Sequence, residues 1–236
     1  MERNCPSRLL VGGGELSEAE AQAVRDTLTG VNRSLVFSPY IAPGDPLVEV
    51  YRIQAGDLLS RVGRLYSTPY QLIELVNGIN ARRVRVGQQI KVVKGPFHAV
   101  VSKHAFRMDV YLGDPEGRMI YVRSFDVGLG ENNSTPVGAW VVRRGGKLVN
   151  PDWTNPRTNK HYTADNPNNP IGDYWIGLEG IDEQTADLSG YGIHGTNEPE
   201  SIGRQASMGC IRLKADDVAL VYKLLREGRS TVLIQP

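Results

Sequence analysis

The stretch from Gly192 to Leu213, GIHGTNEPESIGRQASMGCIRL, leaves the chain few ways to fold. It carries His194 near one end and Cys210 near the other, sixteen positions apart, with Gly, Asn, Pro and Ser concentrated between them. Those turn formers exclude one continuous helix, so the two residues cannot share a helical face. Two adjacent strand ends, with the polar loop returning between them, would bring them together. A thiol and an imidazole so placed are a candidate nucleophile and base. The bland alternative is a buried structural cysteine and a satisfied core histidine, because free cysteine is among the most buried residue types. Glycines beside both residues, a polar loop between them and Arg212 just after the cysteine are poor ingredients for a core.

The 236 residues carry a net charge of +1 and two cysteines, Cys5 and Cys210. That length holds one or two domains. A domain of ~150 residues buries roughly 70% of its unfolded surface, so covalent staples are not required. The near-neutral charge argues against a nucleic-acid partner, which would draw on a basic surplus. A Cys5–Cys210 bridge would block the one thiol with a partner at hand. No apolar run approaches the ~18 residues that span a bilayer. The opening MERNCPSRLLVGGG lacks the apolar core of roughly 7–15 residues found in signal peptides, and no lipid anchor is indicated at Cys5; either the protein stays inside or this chain lacks its export signal.

Residues 1–47 read as a leader with a Gly12-Gly13-Gly14 hinge, a helix and a Pro-rich connector. The helix opens on a capping box, Ser17 with Glu20, and Gly30 is predicted to stop it. Residues 48–95 read as strand, helix, helix, strand. Asp57 is predicted to cap the first of these helices, and Thr68, before Pro69, the second. From Phe97 the apolar pattern alternates, predicting strands over His98–Lys103, Phe106–Leu112 and Met119–Val127, with a turn at Asp114–Gly117. Further strands are predicted at Ala139–Arg143, with Gly145-Gly146 turning a hairpin, and at Tyr174–Leu178, Gly190–His194 and Ser230–Gln235. A helix is predicted over Val218–Leu225. Between Asn150 and Asp173 lie six asparagines and four prolines, which suits a lid over a cleft, with Trp153, His161 and Tyr162 as aromatic handles. His161, Asp165 and Asp173 have no metal-ligand spacing.

A thiol is a poor nucleophile until deprotonated. The histidine that serves it needs an acceptor on its other nitrogen, and Asn197, Glu198 and the Gly195 carbonyl are all within reach. Gly209 allows the amides of Gly209 and Cys210 to form an oxyanion hole. Arg212, two residues past the thiol, faces the same side of a strand and suits a substrate carboxylate.

The run YRIQAGDLLSRV, then Leu72 to Asn77, then VGQQIKV, resembles a LysM domain. The resemblance implies binding of N-acetylglucosamine-containing glycans through the loops at Gly56, Asp57 and Leu58 and at Asn77, although Gly56, Asp57 and Asn77 also serve as turn and cap residues. Leu58 stands where that family usually has threonine. HGT…SxGCIR, with YGI before it and STPVG and YWIG upstream, resembles the L,D-transpeptidase catalytic domain of the YkuD type over about residues 97–236.

Together the resemblances imply a mainly β chain: a β-sandwich-like catalytic domain behind a small α+β (βααβ) module at 48–95 and a short N-terminal helix. They imply Cys210 as nucleophile, His194 as proton donor and acceptor, Gly195 as the carbonyl that orients it and Gly209 as an oxyanion amide. Arg212, Ser207 and Tyr174 are the substrate-binding candidates. The implied partners are peptidoglycan stem peptides and glycan strands, with no metal or organic cofactor, and the protein is expected as a monomer in the cell envelope, periplasm or cell wall. The implied reaction is 3→3 cross-linking of stem peptides with release of terminal D-Ala, through a thiol that carbapenems acylate. Water as acceptor would make an L,D-carboxypeptidase, and a lapsed site would leave a non-catalytic peptidoglycan-binding wall protein. Met208 stands where many members have histidine, which bears on the acceptor.

Overall fold

The computed structural model describes residues 10–11, 14–114 and 117–236. Cys5, two glycines of the Gly12-Gly13-Gly14 hinge and the middle of the turn at Asp114–Gly117 lie outside the described residues. The described chain divides into two compact units, one reaching residue 100 and including 109–124, the other comprising 101–108 and 125–236.

In the first unit, β1 (Leu10–Val11) pairs with β2 (Gly14–Glu15). Helix α1 (Glu18–Leu35) follows, opened by the expected capping box: the Glu20 amide donates to Ser17 Oγ and the Ser17 amide to Glu20 Oε2. It does not stop at Gly30. The helix buries Ala21, Arg25 and Asn32, and the Asn32 amide donates to the carbonyls of Tyr121 and Val122 at 3.0 Å each. That buried face offsets the ~1 kcal/mol that glycine costs inside a helix, so part of the expected connector is helical.

Strand β3 (Val48–Arg52), helices α2 (Leu59–Leu65) and α3 (Tyr70–Asn77) and strand β4 (Gln89–Val93) form the strand–helix–helix–strand module, with β3 and β4 antiparallel. Ile53, Leu59, Val62, Ile73, Ile90 and Val92 make its core. Both helix starts differ from expectation. Asp57 does not cap α2, which begins after Leu58; its carboxylate accepts from Tyr51 Oη and the Gln54 amide and so closes the preceding turn. Pro69, not Thr68, occupies the N-cap of α3, because Thr68 is drawn into the interior at 2% exposure.

Asn77 joins the second helix to the second strand. Its amide donates to the carbonyls of Ile73 and Lys91 and its oxygen accepts from the Lys91 amide, all at 2.8 Å. The Lys91 ammonium in turn donates to the carbonyls of Leu35, Ser38 and Tyr40 at and beyond the end of α1. Asn77→Ala is expected to lower stability by about 2–3 kcal/mol, since it strips partners from partly buried backbone groups. Urea unfolding of the full chain checks this; an unchanged midpoint would mean that water replaces the amide.

Strands β5 (Phe97–Ser102), β6 (Arg107–Gly113) and β7 (Met119–Asp126) carry residues of both units. The second unit continues with β8 (Leu129–Gly130), β9 (Gly138–Val149), β10 (Trp153–Thr154), β11 (His161–Tyr162), β12 (Tyr174–Gly180), β13 (Gly192–His194), β14 (Gln205–Ser207), β15 (Ile211–Arg212), α4 (Ala215–Leu224) and β16 (Thr231–Gln235). The main sheet is a curled one of eight strands, ordered β15-β13-β12-β9-β16-β5-β6-β7. The chain is thus mainly β behind a small α+β module, as its sequence implies.

Gly145-Gly146 does not turn a hairpin; β9 runs through it. Gly145 takes φ +67° and the register against β12 moves from Ile176↔Lys147 to Leu178↔Val142. The glycines therefore make a bulge, which the bend of the sheet absorbs. Helix α4 ends at Leu224, four residues before Gly228. Lys147 reaches its last turn, donating to the carbonyls of Tyr222 and Leu225, where the helix dipole favours a cation. Burial lowers the Lys147 ammonium to about 8. Among the described residues no helix is long and apolar enough to cross a membrane.

Candidate active site

Strand pairing brings His194 and Cys210 to one place. β13 and β15 lie side by side and parallel, with Ile193 opposite Ile211 and His194 opposite Arg212. Cys210 immediately precedes β15, and the two-residue strand period puts it on the side of Arg212 and His194. On the other flank of β13, β12 runs antiparallel with Trp175 opposite His194. The Trp175 and His194 rings stack at 5.7 Å with 17° between their planes.

His194 is buried, and its Nδ1 lies 2.6 Å from the Gly195 carbonyl oxygen. A carbonyl only accepts, so Nδ1 carries the proton and Nε2 keeps its lone pair. Of the three acceptors within reach in sequence, the Gly195 carbonyl is the one used. The Asn197 amide donates to the Asn168 carbonyl, and Glu198 accepts from Arg212. Burial lowers the imidazole to about 4; the Gly195 bond opposes this and the Arg212 charge adds to it.

Cys210 is partly exposed, and its thiol lies 3.7 Å from the Gly190 carbonyl. Desolvation raises the thiol to about 11, outweighing the Gly192 amide and the Arg212 charge, which both favour the thiolate. The resting pair is therefore a neutral thiol and a neutral imidazole. A thiol and an imidazole in these states suit general-base chemistry, in which the proton leaves sulfur as sulfur forms its new bond.

Both residues line a cleft of about 320 Å³. Its walls are Trp153, Pro156, Pro170, Ile171, Trp175 and Tyr191, and Ser207, Met208 and Arg212 complete it beside the thiol. Four of the wall residues come from the Asn150–Asp173 loop, so that loop does border the cleft. His161 and Tyr162 are not in the lining; His161 Nδ1 pairs with Thr154 Oγ1 across the short β10–β11 hairpin. No cluster of three metal-ligating side chains occurs among the described residues.

The remaining candidates fall into place less evenly. Gly209 has φ +127°, and a Cβ there would lie 2.8 Å from the Tyr191 ring, so only glycine fits. Its amide donates to Ser207 Oγ at 3.1 Å, and that hydroxyl donates to the Cys210 carbonyl at 2.6 Å. Of the expected oxyanion pair, the Gly209 amide is thus already engaged in the turn that Ser207 closes. Ser207 is buried and holds the cysteine loop rather than offering a free hydroxyl. Tyr174 does not line the cleft. Strand alternation turns it to the opposite face, where its ring packs 4.9 Å from Tyr222 of α4. The aromatic facing the site is its neighbour Trp175. Arg212 lines the cleft and donates from Nη1 to Glu198 Oε2 at 2.8 Å.

In the strand–helix–helix–strand module, Gly56 takes φ +84° with open space around it, and Leu58 is 54% exposed. Asp57 and Asn77 spend their side chains on the bonds already described. Sequence reasoning missed Trp175 and Tyr191. Each sits in a segment that it singled out, but the faces they take depend on cross-strand register.

Comparison with known proteins gives a consistent result. The profile of the YkuD family, the L,D-transpeptidase catalytic domain, matches residues 96–234, and that of the LysM domain matches residues 51–93. A Bacillus licheniformis protein named as a candidate L,D-transpeptidase, YkuD, is 28% identical over 188 residues, covering 76% of this chain and 94% of that one. A Bacillus subtilis protein named in the same terms, YqjB, is 34% identical over 140 residues, covering 59% and 72%. Among solved structures, the L,D-transpeptidase LdtMt1 in complex with imipenem aligns at TM-score 0.41 and 18% identity, over 63% of each chain.

Proposed function

Because this chain belongs to the YkuD family of L,D-transpeptidase catalytic domains and carries a LysM domain, we propose that it cross-links peptidoglycan stem peptides through an acyl-enzyme on Cys210. Family and LysM domain together support work on peptidoglycan at the cell wall. The observation that carries the cysteine mechanism is the bond from His194 Nδ1 to the Gly195 carbonyl. It leaves Nε2 as a base on the strand face that also carries Cys210.

In the first half-reaction His194 Nε2 takes the thiol proton as sulfur attacks the carbonyl of the third stem residue. The Cys210 amide stabilises the oxyanion. As the tetrahedral species collapses, the bond to the terminal D-Ala breaks and His194 returns the proton to its amine. In the second half-reaction an amine on a neighbouring stem loses its proton to His194 and attacks the thioester. The 3→3 amide forms, and the sulfur leaves and is reprotonated. Nothing in this sequence of proton transfers calls for a metal or an organic cofactor. Arg212 holds a substrate carboxylate, and the LysM loops at Gly56–Leu59 and Asn77–Asn80 hold the glycan.

Incubation with a disaccharide-tetrapeptide, followed by mass spectrometry, tests the reading. Cross-linked dimers are expected. Tripeptide alone would make water the acceptor and the protein an L,D-carboxypeptidase. Unchanged tetrapeptide would overturn both and leave a non-catalytic wall-binding role. A carbapenem, whose strained β-lactam ring a thiol nucleophile opens, is the probe of Cys210.

A further inference from the structure

We propose that Glu198 is a resident carboxylate that holds the anion-binding face of Arg212 until a substrate carboxylate displaces it, so that Glu198 sets how strongly the cleft selects acidic ligands.

The two partners are held very differently. The Arg212 side chain is 14% exposed and that of Glu198 55% exposed, so the carboxylate reaches a recessed cation from outside. Arg212 is clamped by its backbone, exchanging hydrogen bonds with Gly128 at 2.8 and 2.9 Å and pairing with His194 across the β13–β15 ladder. Glu198 sits on the exposed loop after β13, and its own carbonyl is taken by Ser201. An ion pair whose carboxylate is this open is weak. A loop side chain can therefore leave while the guanidinium stays.

The pairing is also incomplete. Arginine forms its strongest carboxylate bonds two at a time, through a planar fork of donors. Here Nη1 donates to Glu198, while Nε is buried without a hydrogen-bond partner. A buried donor left unsatisfied is costly and calls for a partner. Glu198 leaves that donor empty. Because Arg212 lines the same cleft as Cys210, a ligand carboxylate entering beside the thiol meets its side chain, and withdrawal of Glu198 is the movement that frees the fork to take it. Among the described residues lining the cleft, Arg212 is the one formal charge when His194 is neutral, so no acidic side chain of the lining competes for that ligand. The identification of this ligand with the terminal carboxylate of a stem peptide rests on the acyl-transfer reading; the carboxylate subsite itself does not.

Iodoacetate and iodoacetamide test the subsite without any turnover. Each alkylates Cys210 in the same step: the carbon–sulfur bond forms, iodide leaves, and the thiol proton passes to His194. They differ in a carboxylate against an amide. With labelling read at the Cys210 peptide, E198Q is expected to raise the iodoacetate-to-iodoacetamide rate ratio by at least about threefold, and R212M to bring it below that of the native protein. Glu200→Gln removes the same charge from the same loop without touching Arg212, and should leave the ratio near its native value. An unchanged ratio in E198Q, or an equal rise in E200Q, would overturn the proposal. A loop merely loosened would speed both reagents alike. A native protein inert to carbapenem that still shows the E198Q shift would keep the carboxylate subsite and lose the transpeptidase reading.

Discussion

A carbapenem is expected to add one mass increment to the native protein, and Cys210→Ala to remove that increment completely. Opening of the strained β-lactam requires a nucleophile that forms a stable thioester, and alanine offers none. Cys210 is the thiol that lines the cleft, beside a histidine whose Nδ1 proton is committed to the Gly195 carbonyl. The fold should survive the substitution, because Cys210 is only partly buried and its contact with the Gly190 carbonyl is long at 3.7 Å. Intact-mass spectrometry reads the outcome, with circular dichroism to show that the variant is folded. An adduct that persists in Cys210→Ala would remove the nucleophile from the proposed mechanism, and a native protein that gains no mass would remove the mechanism itself.

His194→Gln is expected to slow Cys210 acylation by roughly 10²–10⁴-fold, the usual contribution of a positioned general base. The pH profile separates this role from a structural one. Burial holds the imidazole at about 4 instead of its ordinary value, so the neutral base persists at any pH above about 4 and is lost only as the pH falls through that value. The thiol is raised to about 11, so it remains protonated across the neutral range. The native acylation rate should therefore be flat from weakly acid to weakly alkaline pH and fall only near pH 4. In His194→Gln no base removes the proton, and the residual rate should climb with the thiolate fraction as the pH approaches 11. Stopped-flow acylation across that range reads both limbs. A native profile that breaks near the ordinary histidine value would instead mean a hydrated imidazole or a pre-formed ion pair.

Local signals were legible wherever the chain itself enforces the geometry. The Ser17–Glu20 box closes within one helical turn, so its residues predict the bond they make. The strand–helix–helix–strand order of 48–95 followed from apolar spacing and turn residues alone. The same reasoning failed where a distant contact outweighed local preference. Gly30 lost its role as a stop because Asn32 is bonded to the carbonyls of Tyr121 and Val122, about ninety residues away. Asp57 and Thr68 read as caps, yet a tyrosine hydroxyl took one and the interior took the other. Gly145-Gly146 is a hairpin signal that became a bulge when β9 paired across it with β12.

The site divides in the same way. His194, Cys210, Gly209 and Arg212 could be named from the sequence, because a thiol, an imidazole and obligatory glycines in a turn-rich stretch carry their chemistry with them. What each does was a matter of register and packing. Tertiary structure chose the Gly195 carbonyl over Asn197 and Glu198 as the acceptor for His194, and gave the Gly209 amide to Ser207. It placed Trp175 rather than Tyr174 against the site, since a one-residue change of register reverses every side chain of a strand. It also set the proton positions, because burial is a property of the folded surroundings and moves the imidazole down and the thiol up. The sequence by itself determined which groups are present and that a loop must return between strand ends. Which bonds those groups make, and which of them remain free for substrate, was decided only when residues far apart in the chain came into contact.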